Sequence, residues 1–96
     1  MSRPIVNDFL IDSDNAEKFA MHGLTFRQVQ QVLDDQIYVG RNKRGQRTPV
    51  VVIGRDHGGL CITIPVEPTL EEDVWRPVTA WPCSKNEEDR LEKIGG

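Results

Sequence analysis

Two arginines, two tryptophans and two histidines carry most of the chemistry this sequence offers. In "VWRPVTAW" (74–81), Arg76 stands between Trp75 and Trp81, and "VVVIGRDHGG" runs from an apolar stretch through Arg55 into a turn at His57. A guanidinium on a strand presents a planar donor fork that suits phosphate or carboxylate equally well. Each arginine therefore also has a plain reading, as a solvated strand charge paired with Glu or Asp. His22, in "AMHGL", titrates near neutrality and is a natural proton carrier. A histidine just before Gly23 also serves a helix C-terminus through the dipole and a free carbonyl. His57 reads as an exposed hairpin tip. No carboxylate cluster or His/Cys spacing suggests a metal site, and no cofactor is expected.

Charge says where a polyanion would meet the chain. The net charge is −3 over 96 residues, which argues against a general nucleic-acid binder. Residues 41–60, however, carry five basic side chains (Arg41, Lys43, Arg44, Arg47, Arg55) against Asp56 alone, between two acidic flanks. The loop "RNKRGQR" concentrates four of these cations; it reads as a phosphate-attracting hairpin, a solvated turn, or a dock for an acidic partner segment. The length suits one domain over residues 1–96 with a single core. No apolar run approaches the roughly 18 residues of a membrane span, and "MSRPIVNDFL" lacks a signal-peptide layout. The expected compartment is the cytoplasm, with Cys61 and Cys83 as reduced thiols.

The elements that must position these groups follow from periodicity. "PIVNDFLI" (4–11) predicts a first strand. In "DSDNAEKFAMHGL", Asp14 and Glu17 have capping-box spacing and Gly23 is a natural stop, predicting a short helix with a buried Phe19 stripe. "LTFRQVQQVLDD" predicts a second helix over 26–35, capped by Thr25 and Gln28, with Phe26, Val29 and Leu33 on one face. Strands follow at 37–40, 48–56, 60–68 and 74–81, the last carrying Pro77 as the mark of an edge or bulge. Ser84 and Glu87 then open a helix through "SKNEEDRLEKI". The order predicts an α+β domain: an N-terminal strand and two helices, an antiparallel sheet of about four strands, and a C-terminal helix, with the helices on one face. Regular pleating would put Trp75 and Trp81 on a shared face and Arg76 on the other, unless Pro77 breaks the register.

Three stretches, "NAEKFAMHGLTFRQV", "VVVIGRDHGG" and "RPVTAWPCSKNEE", resemble in order and spacing the BrnT family of toxins from bacterial toxin–antitoxin pairs, which have a RelE-like ribonuclease fold. The resemblance covers most of residues 9–91. It implies a toxin that blocks translation by cutting RNA without a metal. It also implies silencing by a cognate DNA-binding antitoxin of BrnA type, and assembly as a homodimer or as a hetero-oligomer with that antitoxin. Where many members place a second arginine, this chain has Trp81.

Metal-free RNA cleavage drives the 2′-hydroxyl onto its own phosphate, so it needs a proton acceptor, a proton donor and fixed positive charge on the phosphorane. The resemblance points to Arg55, Arg76, His22 and Glu87 for these catalytic roles. Arg55 and Arg76 would emerge side by side from neighbouring strands, and Glu87 would orient Arg76 or simply cap its helix. Lys18, Arg41, Lys43, Arg44, Arg47 and Trp81 are the candidate RNA contacts. An indole in place of a cation keeps a stacking platform while removing charge from the phosphorane, which predicts binding without efficient cutting.

Overall fold

The run "VVVIG" has no polar alternation, so a strand made from it needs cover on both faces. In the computed structural model, which describes residues 4–42 and 48–95, it has that cover. In chain order the elements are β1 (Asp8–Phe9), α1 (Ser13–Met21), α2 (Phe26–Gln31) running into a 3₁₀ turn (Val32–Asp34), β2 (Tyr38–Arg41), β3 (Val50–Arg55), β4 (Cys61–Pro68), β5 (Val74–Pro77), β6 (Trp81–Pro82) and α3 (Lys85–Gly95). One six-stranded sheet has the order β1-β5-β4-β3-β2, with β6 on β4 beyond the end of β5. β1 is parallel to β5 and every other pair is antiparallel. The class is α+β, as the sequence predicts.

Two departures matter for function. The helices do not share a face. Phe19, Val29 and Val32 from the α1–α2 side pack with Val52, Ile62, Ile64 and Val66 in one core. Leu91 of α3 packs with Val51, Ile53 and Cys61 in a second core on the opposite face, with Ile94 against it. The apolar run of β3 foretold this double cover more directly than the element order did. The expected last strand is also broken in two. From the Val66–Pro77 pair to the Thr63–Trp81 pair, β4 advances three residues while the outer chain advances four. The extra residue is a bulge, and it reverses the in-out alternation beyond it. Within the bulge, Val78 N–H still donates to the Pro65 carbonyl at 3.0 Å.

Local chemistry fixes the joints. α1 is capped by Asp12 rather than Asp14: the Asn15 N–H donates to the Asp12 carboxylate and the Asp12 N–H to Asn15 Oδ1, both at 2.9 Å. Asn15 is buried because its Nδ2 also donates to the carbonyls of Leu10 (2.9 Å) and Pro77 (3.0 Å), tying the helix start to β5. Gly23, at φ +75°, ends α1 in a Schellman motif: Leu24 N–H donates to the Phe19 carbonyl and Gly23 N–H to that of Ala20. α2 has the Thr25–Gln28 box but stops at Gln31, so its buried line is Val29–Val32 while Phe26 stays exposed beneath the Arg27 guanidinium. At Gly54 a Cβ would lie 2.5 Å from Val32 Cγ1, so glycine is what lets the 3₁₀ turn approach β3.

Cys61 and Cys83 are not thiols. They form a disulfide across a Cα–Cα distance of 5.3 Å. Register explains what sequence spacing hides: Ile62 pairs with Pro82, so the two cysteines are the next cross-strand neighbours.

Candidate functional site

The two strand arginines lie far apart. Arg55 pairs with Cys61 and Arg76 with Glu67, six residues along β4, or about 20 Å at strand rise. β3 and β5 flank β4 on opposite sides, so the expected side-by-side pair does not form. Both guanidiniums are already engaged. Arg55 donates to Glu88 (3.2 Å), Glu92 (3.4 Å) and the Gly59 carbonyl (3.1 Å), pinning α3 and the hairpin tip to the sheet. Arg76 donates to both oxygens of Asp12 (3.0 and 3.3 Å) and to Glu67 (3.3 Å). The Asn15 backbone N–H, ahead of the Arg76 guanidinium, holds the Asp12 carboxyl below its ordinary value, and Arg76 is correspondingly raised, chiefly by Asp12. These arginines are structural clamps, and their plain reading as strand charges paired with carboxylates describes them.

The other candidates separate in the same way. His57 is folded back onto the α2 side, its Nε2 2.8 Å from Asp34 Oδ2 and its backbone N–H on Gln31. Beside it, burial tends to raise the Asp56 carboxyl, but hydrogen bonds from Gln28 and from the Leu60, Gly58 and Gly59 N–H groups outweigh burial and hold it low. Lys18 is exposed on α1, across the sheet from α3. Lys43, Arg44 and Arg47 lie outside the described residues. Glu87 does not reach Arg76. It closes the Ser84 capping box (Ser84 N–H to Oε1, 2.8 Å) and accepts the Trp81 indole N–H at 3.2 and 3.3 Å.

Trp81 is the centre of what remains. The bulge turns it onto the α3 face, opposite Thr63, where it lines a groove of about 830 Å³. Val51, Ile53 and Pro65 form an apolar floor, Tyr38 and Trp81 bring aromatic rings, and Glu87 and Arg90 of α3 line the other side. Arg41 lies at the rim where β2 ends, together with Asn42 and Thr48, the residues that bracket the basic segment 43–47. Arg90 and Arg41 make no ion pair with the described residues. His22, the C-cap of α1, sets its ring against Trp81 with centroids 6.4 Å apart. Thus His22, Trp81 and Glu87 form one cluster, with Arg41 across the groove. Tyr38 and Arg90 escaped the sequence reading. The signal for Arg90 was its place three residues after Glu87, one helical turn along and next to the apolar Leu91.

The groove combines stacking surfaces, an apolar floor and two exposed cations, Arg41 and Arg90, with its indole held by a carboxylate. That set suits a planar ring joined to an anion. Among the described residues no group of His, Cys, Asp and Glu could hold a metal ion, and no helix is long and apolar enough to cross a membrane. No family model and no curated protein sequence matches this chain.

Proposed function

We propose that this chain binds single-stranded RNA without cutting it efficiently, on a BrnT-like domain of RelE-like fold that works in the cytoplasm beside a DNA-binding antitoxin of BrnA type. One observation supports this reading: Trp81 lines an open groove with Arg90, which has no ion pair among the described residues, while Arg55 and Arg76 lie apart and are each engaged by carboxylates. Bases present their π-faces to aromatic rings whatever their sequence, and a nearby guanidinium meets the backbone phosphate. Base stacking on one aromatic is worth roughly 1–3 kcal/mol, a factor of about 5 to 150 in affinity. Trp81→Ala should therefore weaken binding of a fluorescein-labelled single-stranded RNA by that factor in an anisotropy titration, and Arg90→Ala should flatten its salt dependence by about one phosphate contact. Unchanged affinity in both variants would remove the groove from consideration.

A cleaving toxin is the second reading. The proximity of the His22 ring and the Glu87 carboxylate to Trp81 favours it, because they set two proton-transfer groups at the stacking platform. The two readings divide on expression of the chain alone in bacteria. Growth arrest with RNA fragmentation, relieved by His22→Ala, supports cleavage. Normal growth with intact RNA supports binding alone.

A further inference from the structure

The segment that builds one side of the groove is fastened to the sheet by a single covalent link. β6 has only two residues, and Cys83 follows it directly, two positions after Trp81 and one before Ser84, which caps α3. Cys83 is joined to Cys61 at the start of β4. Its N–H donates to the Cys61 carbonyl at 3.0 Å, and Thr63 Oγ1 donates to its sulfur at 3.3 Å. Further along α3, Arg55 holds Glu88 and Glu92, and Leu91 is buried. That part of the helix has its own anchors. The stretch from Trp81 to Glu87 is held by the disulfide, the short β6 ladder and the His22 ring against Trp81, and of these the disulfide is the covalent one.

We propose that the Cys61–Cys83 disulfide is a redox gate on the groove: oxidised, it holds Trp81 and the start of α3 in place to receive RNA; reduced, it releases them. This rests on the RNA-binding reading above. The two sulfurs are unequal. Cys61 is only 5% exposed, against Ile53 and Leu91, whereas Cys83 is half-buried. A thiolate of a cellular dithiol attacks Cys83 Sγ, the S–S bond breaks, and the Cys61 sulfur leaves with the electron pair and takes up a proton. The second thiol of the reductant resolves the mixed disulfide. The protein gains two electrons and two protons, and the dithiol becomes a disulfide. Closure runs the same steps backward with a disulfide oxidant. In a reducing compartment such bonds are transient and regulatory rather than permanent, which suits a gate.

The test uses the whole chain with and without dithiothreitol, with thiol titration confirming each state. Two readouts run in parallel: affinity for a short fluorescein-labelled oligouridylate, and amide hydrogen exchange over residues 81–90. Reduction should weaken binding about tenfold, the cost of ordering a released stretch on binding, and speed exchange in that segment. Cys61→Ser, Cys83→Ser protein should match the reduced form whether or not dithiothreitol is present. Equal affinity in the two states overturns the gate. If neither state binds the oligonucleotide, the RNA reading fails, and exchange alone decides: faster exchange on reduction keeps the gate, and equal exchange removes it.

Discussion

Trp75 and Trp81 lie on one interrupted strand, yet their indoles do different work. Trp75 packs against the core beneath α1 and α2 and donates its N–H to the Ile5 carbonyl at 3.0 Å. Trp81 lines an open groove on the other face and donates to a side-chain carboxylate. The one residue inserted between the two halves accounts for the difference. A single bulge converts a position that regular pleating assigns to the interior into one facing a ligand-sized space, and it does so without a new element. The arginine between the two tryptophans makes the same point, since Arg76 shares a face with Trp81 and not with Trp75.

Shifting the register beyond the bulge should have the largest effect. Insertion of one alanine after Thr79 moves Trp81 one place along β4, opposite Ile62 and toward the α1–α2 side, and pulls Cys83 out of line with Cys61. Urea denaturation should show a loss of about 4 kcal/mol or more, or no folded protein, and thiol titration should find free cysteines. Next come the two tryptophans taken singly. Trp75→Ala should cost about 2–3 kcal/mol through lost core packing while leaving RNA affinity unchanged, whereas Trp81→Ala should cost about 1 kcal/mol or less and act on binding. Equal stability losses would erase the distinction between core and groove. The smallest effect lies at the clamp beside Trp75. The Asp12 carboxyl is held below its ordinary 3.8 in the folded chain, chiefly by the Asn15 N–H and then by Arg76. Its contribution is therefore present above about pH 4 and is lost as the pH falls through the lowered value. Asp12→Asn should make the acid side of the stability profile shallower, as followed by circular dichroism, and a profile identical to that of the native chain would show that Asp12 does not contribute.

Patterns that act through neighbours in sequence were legible beforehand. The Thr25–Gln28 and Ser84–Glu87 boxes, the Gly23 stop and the apolar runs of β3 and β4 each sit within a few residues, and each appears in the structure. What escaped was set by register. The cap of α1 is Asp12 because Arg76 and Pro77, more than sixty residues away, complete its network. The disulfide and the emergence of Trp81 depend on how many residues the outer chain spends between Pro77 and Trp81, and the separation of Arg55 from Arg76 depends on the register of β3 and β5 on either side of β4. Pro77 warned of an irregular edge, but a one-residue slip flips every side chain beyond it, and no local signal says whether the slip occurs. Arg90 was passed over for a different reason: it stood in an acidic helix that reads as a solvated face.

The attachment of α3 also sets an order of events during synthesis. β2, β3 and β4 form a run of neighbouring hairpins and can pair as soon as they leave the ribosome, while α3 docks on β3 across more than thirty residues of intervening chain. Glu87 and Arg90 are delivered by that last-arriving helix. A nascent chain that already has its sheet therefore still lacks one bank of its groove, and it stays inert toward any ligand of that surface until residues beyond Lys85 have emerged.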